Sequence, residues 1–281
     1  MGSRKWDNMT MKTQRTPPKT QKLFNLSIFA DTKAECYALL KEKLLVKNIV
    51  TRNPFTTTLR KPFIVFTPNS EQLMLAQHDH VFEQTLQKAD LLLPDGVGVV
   101  WAGNMLNGNS TERISGRETL EFLISVAAKQ SLPVFLLGGR ESSSQYAQKL
   151  CARYIDNPEW NISWNAGVED IKHETAEEKK NIATEIQYAK PKLLCIAYGA
   201  PYQERWVMKN LELLQKSGVR VVIVVGGAFD VLSGRVSLPP KWAVAIGVEW
   251  LWRLLRQPWR WRRQLVLPQF ILRVLVEKMR G

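Results

Sequence analysis

The chain has 281 residues, 45% of them hydrophobic and 23% charged, enough to bury one large core or two modest ones and too apolar for general disorder. Its net charge of +13 sits at the ends: residues 1–22 carry six Lys/Arg against one acid, residues 241–281 carry nine against two, and the body between carries 24 against 23. A nearly neutral body argues against a nucleic-acid binder, which needs basic residues along a groove of the fold.

Cys36, Cys151 and Cys195 are widely spaced and form no CxxC pattern, which fits a reducing compartment. His78, His80 and His173 share no ligand spacing with one another or with the cysteines, and no Asp-x-Asp pair is present to hold a divalent ion against a diphosphate. Neither a metal nor another cofactor is therefore expected. The sequence has no apolar run of about 18 residues and no hydrophobic signal-peptide core, so the expectation is a cytoplasmic chain that lies on a membrane where it meets one.

In chain order, residues 1–22 are rich in Lys, Thr, Gln and Pro without periodicity and read as a flexible basic arm. From residue 23 to 240, short apolar runs predict strands at 27–29, 63–66, 90–93, 134–137, 162–164, 193–197 and 219–225. Stretches of helical period lie between most of them, at 70–86, 117–128, 142–154, 175–188 and 203–214. This alternation predicts an α/β, Rossmann-like domain with a mainly parallel sheet covered on both faces by helices. In such sheets ligands collect where strands end and helices begin. Five strand ends carry Gly, Pro or small polar residues: Thr67-Pro-Asn-Ser70, Pro94-Asp-Gly96, Gly138-Gly-Arg140, Tyr198-Gly-Ala-Pro-Tyr-Gln203 and Gly226-Gly-Ala-Phe-Asp230.

Asp95, held between Pro94 and Gly96, suits a general base toward a hydroxyl, although local pattern alone favours the N-cap of the following helix. Thr67 and Asn69 bracket Pro68 and can either donate to a sugar or phosphate or cap the next helix. Gly138 and Gly139 allow backbone amides to approach a phosphate, though neither a GxGxxG nor a Walker loop is present. Gln203 opens a helix after Pro201 and could position a substrate or face solvent. Asp230 could hold ribose or base hydroxyls, or cap. Arg113 could hold an anionic group, or pair with Glu112 or Glu118. Cys195 reads as a buried structural thiol.

Residues 241–281 form a Trp/Arg-rich appendage centred on Glu249 to Arg263. Trp250, Trp252, Trp259 and Trp261 suit a membrane interface, and Arg253, Arg256, Arg260, Arg262 and Arg263 suit phosphate. Trp250, Leu251, Leu254 and Leu255 share one helical face, and Pro258 and Pro268 are expected to break the helix. A terminal helix docked on its own domain with a solvated basic face is the alternative reading.

Together these pieces resemble bacterial glycosyltransferase family 26, which includes the N-acetylmannosaminyltransferases of wall teichoic acid and related enzymes of enterobacterial common antigen and exopolysaccharide synthesis. The matching segments are Thr67-Pro-Asn69, Ala89 to Gly98, Arg113-Ile-Ser-Gly116, Val134 to Gly139, Gly199-Ala-Pro-Tyr-Gln-Glu204, Gly226 to Gly234, and Pro240-Lys-Trp242 through Trp259-Arg-Trp-Arg-Arg263. The resemblance implies an inverting hexosyltransferase that moves an N-acetylmannosamine-type or related sugar from a UDP donor to a polyprenyl-diphosphate-linked saccharide at the inner face of the cytoplasmic membrane. It implies Asp95 as base, Thr67, Asn69, Arg113 and Gln203 as pocket residues, and Arg253, Arg260 and Arg263 as tail arginines that complete the site. With the tail set beside the strand ends, those three are expected to close over the UDP diphosphate while Arg256, Arg262, Arg273 and the tryptophans face lipid. An exposed apolar tail would also favour self-association. The competing expectation is a non-catalytic Rossmann-like module that scaffolds at a membrane or binds a nucleotide.

Overall fold

A computed structural model describes residues 17–46, 49–53, 56–108, 111–237, 240, 249–256, 261 and 265–280. Its centre is a six-stranded sheet of β5 (Phe63–Phe66), β6 (Leu91–Leu92), β7 (Val134–Gly138), β8 (Ile162–Asn165), β9 (Leu193–Ala197) and β10 (Val221–Val224), in the order β6-β5-β10-β9-β7-β8. Every pairing in it is parallel. A Rossmann-like α/β architecture is what the alternating pattern predicts, and it is what the chain forms.

The strands alternate strictly between two cores, because successive side chains point to opposite faces. Val222 and Val224 of β10, with Leu194 and Ile196 of β9, pack in a core that also takes Leu73, Phe82, Ile182 and Trp206. Val221 and Ile223, with Leu193 and Cys195, pack in the other with Cys36, Leu40, Leu120, Leu123 and Tyr146. The first core is covered by α2 (Ser70–His78), α3 (His80–Gln87), α7 (Ala176–Ala189), α8 (Tyr202–Lys209) and α9 (Leu211–Lys216). The second is covered by α1 (Lys33–Leu45), α5 (Gly116–Lys129) and α6 (Glu141–Arg153).

Several elements differ from the sequence expectation. The apolar run at 27–29 does not join the parallel sheet. It lies in β2 (Leu26–Phe29), which pairs antiparallel with β1 (Thr20–Leu23). The expected arm of residues 1–22 therefore overlaps a strand in which Gln21 and Leu23 are buried. The helix expected at 70–86 divides at Asp79, whose carboxylate caps α3 by accepting from the Phe82 amide at 2.9 Å and also pairs with Arg205. That at 203–214 divides at Asn210. Helices α1, α4 (Val97–Asn107) and α10 (Ala228–Leu232), and the hairpin of β3 (Ile49–Asn53) and β4 (Thr56–Leu59), are additional elements.

The tail supplies α11 (Glu249–Arg256) and α12 (Val266–Arg280). Pro268 does not break α12 but sits in its first turn, where a missing N–H costs nothing; Pro258 lies outside the described residues. Phe270 and Val274 of α12 are buried in the core against α2 and α4, and Phe270 meets the Phe24 ring edge-on at 6.1 Å. This helix is thus integrated into the α/β body. Arg273, expected to face lipid, stands 5.7 Å over the Phe24 ring and pairs with Glu277 at 3.4 Å. Among the described residues no helix is long and apolar enough to cross a membrane.

Candidate active site

All six parallel strands end on one edge, and the strand-end residues predicted from the sequence lie there in two groups joined by Gln203. The first group surrounds Asp95. The turn after β6 is held by two backbone bonds, Asp95 N to Pro68 O at 3.4 Å and Ile114 N to Pro94 O at 3.2 Å. Asp95 Oδ2 accepts from Gly116 N, the first helical amide of α5, at 3.3 Å. The positive end of the α5 dipole therefore faces this carboxylate, and the side chain caps α5 rather than the helix that follows it. Gly96, not Asp95, is the N-cap of α4.

Thr67 and Asn69 stand beside this turn. Thr67 is buried and its hydroxyl donates to Val224 O at 3.2 Å, which ties the end of β5 to the end of β10. Asn69 is exposed and closes a capping box on α2, its Oδ1 accepting from Gln72 N at 3.0 Å while Gln72 Oε1 accepts from Asn69 N at 2.9 Å. Arg113 immediately precedes Ile114, so the residue bonded to the Asp95 turn carries the guanidinium with it; its charge helps hold the Glu118 carboxyl below its ordinary range, after the larger effect of the Lys33 hydrogen bond.

The second group lines an open cleft of about 700 Å³ at the ends of β7, β8 and β9. Here the chain leaves β9 toward β10 on one side and β7 toward β8 on the other, which is the topological switch point where such sheets bind ligands. The volume falls within the range of small-molecule sites. Gly139, Arg140, Tyr198, Asp230 and Arg235 contribute to the wall. Asp230 Oδ1 accepts from the buried Ser142 hydroxyl at 2.6 Å, which fixes the carboxylate at the rim. Arg235 pairs with Glu141 at 3.1 Å, and Arg140 is exposed at the start of α6 with φ 52°, a rare conformation for a side-chain-bearing residue.

Gly138 and Gly139 are required by close approach. The Gly139 amide donates to Ala197 O at 3.0 Å, within the sheet edge, so it is not directed at the cleft. Gly138 and Gly139 have φ of 84° and 72°. A Cβ on Gly138 would sit 3.0 Å from the Ala197 carbonyl, and one on Gly139 would sit 2.8 Å from the buried Phe229 ring.

Gln203 joins the two groups. It is buried, and its Oε1 accepts from Gly199 N at 3.2 Å and Gly226 N at 3.1 Å, the loops after β9 and β10. Its Nε2 donates to Glu204 Oε1 at 3.0 Å. Burial raises the Glu204 carboxyl to about 7. Arg253 lies in α11; Arg260 and Arg263 lie outside the described residues. Among the described residues no group of three or more His, Cys, Asp or Glu side chains could hold a metal ion.

Sequence reasoning singled out none of Arg140, Tyr198, Arg235 and Glu204 as a site residue. Arg140 and Tyr198 stand in the strand-end segments and Glu204 closes one of the matching segments, whereas Arg235 carried no signal. The arginines look like surface residues until the fold turns them toward the cleft.

The sequence model described as the "Glycosyl transferase WecG/TagA/CpsF family" matches residues 42–281, which include both groups and the tail. The chain is 32% identical over 224 residues to an N-acetylglucosaminyldiphosphoundecaprenol N-acetyl-beta-D-mannosaminyltransferase of Bacillus subtilis (strain 168), covering 76% of this chain and 80% of the relative. A protein of the same description from Bacillus spizizenii is 29% identical over 217 residues, covering 76% and 79%.

Proposed function

Because this chain belongs to the WecG/TagA/CpsF family of glycosyltransferases, we propose that it transfers an N-acetylmannosamine-type or related sugar from a UDP donor to a polyprenyl-diphosphate-linked saccharide, with inversion at the anomeric carbon. The observation that carries this reading is the pairing on one sheet edge of a helix-braced carboxylate, Asp95, with a cleft sized for a nucleotide sugar.

In the proposed reaction Asp95 takes the proton of the acceptor hydroxyl as its oxygen attacks the anomeric carbon. The new C–O bond forms opposite the bond to phosphate, which breaks and leaves its electrons on UDP. Arg140 and Arg235 at the cleft wall offer positive charge to that diphosphate. Arg253, Arg260 and Arg263 of the tail are proposed to complete the clamp, which makes a metal ion unnecessary. Thr67, Asn69 and Arg113 border the acceptor side, and Asp230 holds donor hydroxyls.

The acceptor's sugar lies at a membrane surface, and the proposal places the enzyme peripherally on the inner face. Exposed Leu255, Trp261, Leu265, Leu272 and Met279 alongside Lys278 and Arg280 suit an anionic interface.

The test is a screen of UDP-N-acetylmannosamine, its uronic acid and UDP-glucose against a short-chain polyprenyl-diphosphate N-acetylglucosamine, with and without chelator. The expected result is chelator-insensitive turnover of one donor, giving a product of opposite anomeric configuration by NMR. UDP binding without turnover of any donor would leave the scaffold reading in its place.

A further inference from the structure

Glu204 is fully buried in α8, and its Oε1 accepts two side-chain bonds, one from its own helix and one from α2. One comes from Gln203 Nε2 at 3.0 Å, the other from Gln72 Nε2 at 3.1 Å, 132 positions away in sequence. Both glutamines are themselves buried and commit their own oxygens to backbone amides: Gln203 to Gly199 and Gly226, Gln72 to Asn69. A carboxamide flip at either glutamine would set an NH2 group against N–H donors, so only an acceptor at Glu204 Oε1 holds both in the working orientation.

We propose that Glu204 is a positioning residue that fixes the Thr67–Asn69 loop beside Asp95 relative to the β9 and β10 loops beside the cleft, acting through Gln203 and Gln72. One oxygen atom thereby ties together three strand ends, at β5, β9 and β10. The geometry matters for transfer because base and donor must be held in register, and a displacement of about 1 Å in such a site can cost roughly a hundredfold in rate.

Plain core stability does not account for this residue. Among the described residues Glu204 Oε2 has no hydrogen-bond partner, and burial shifts the carboxyl toward its neutral form. A side chain chosen only to fill this space would be apolar, since buried ionisable groups are commonly replaced by hydrophobic ones at no loss. The carboxyl keeps its acceptor oxygen in either protonation state, which makes the network insensitive to the proton it carries.

The kinetic arm of the test rests on the glycosyltransferase reading; the exchange arm does not. In amide hydrogen exchange on the full chain, Glu204→Leu is expected to speed exchange of Gly199, Gly226 and Asn69 by about tenfold or more, and the conservative Glu204→Gln by less than about threefold. Gln72→Leu, which keeps Glu204, should release only the Asn69 amide. In turnover, Glu204→Leu is expected to lower kcat at least about tenfold with KM for the donor within about threefold, Glu204→Gln should restore it, and in a Gln203→Ala background the leucine should cost less than about threefold further. Unchanged exchange at Gly199 and Gly226 in folded Glu204→Leu overturns the proposal, as do kcat losses that multiply. Should Glu204→Leu fail to fold, release of Gly199 and Gly226 in Gln72→Leu overturns it in the same way. An active-free parent with the expected exchange pattern would sink the enzymatic reading and leave the positioning role standing.

Discussion

Replacing Asp95 by asparagine separates proton transfer from architecture. The carboxamide oxygen can still accept from Gly116 N, the bond that holds Asp95 at 3.3 Å in the folded chain. What disappears is one negative charge at the start of α5, worth about 0.3–1 kcal/mol of stability. Loss of a positioned base, by contrast, costs roughly 10²- to 10⁴-fold in rate, equivalent to about 3–5 kcal/mol of barrier. The two magnitudes are far enough apart to be read on one preparation. Thermal unfolding should show Asp95→Asn within a few degrees of the parent, while turnover of the best UDP-sugar on a polyprenyl-diphosphate acceptor falls at least about a hundredfold at unchanged UDP affinity. Near-parental turnover would refute the base assignment, and a large loss of stability would show that the charge serves α5 more than chemistry.

Phe270→Ala should destabilise the whole body by about 3–5 kcal/mol in denaturant titration, because the ring is buried against α2 and α4 rather than held in a detached tail; a change under about 1 kcal/mol would contradict that packing. Gly139→Ala should cost roughly 2 kcal/mol or more and weaken UDP binding, since its Cβ meets the Phe229 ring at 2.8 Å just before Asp230; calorimetry with UDP checks it. The Glu204 carboxyl, held at about 7 against an ordinary 4.5, keeps its proton in the folded chain after the unfolded chain has lost it. Stability relative to Glu204→Gln should therefore fall by about 3 kcal/mol as pH rises from about 4.5 to 7, and level off above. A parallel pH dependence of the two proteins would contradict the burial of this acid.

The parallel sheet was legible because strands buried on both faces read as unbroken apolar runs, and Val221–Val224 is the clearest of them. The hairpin of β3 and β4 was not, since Thr, Arg and Asn there give neither period. Helix α1 announced itself only through its capping box, Thr32 with Glu35, which a search for apolar period passes over. Asp95, Thr67 and Gln203 could be singled out because turn chemistry is local. Their partners could not: Gly116 lies 21 positions from Asp95, and Val224 lies 157 from Thr67. Those distances are properties of topology. At Gly138-Gly139 the local pattern suggested amides near a phosphate, while the close approach of Ala197 and Phe229, which the fold adds, could not be read from it.

The strand order also has a kinetic side. Strand β5 pairs with β10, and everything between them in sequence must be threaded elsewhere before that seam closes. Contacts of such long sequence separation are slow to form. Until they do, β5 keeps an open hydrogen-bonding edge lined by Ile64, Val65 and Phe66, a surface prone to intermolecular pairing. The hydroxyl bond from Thr67 to Val224 can be made only once that seam exists. The Thr67 bond and the covering of this edge thus depend on one and the same seam.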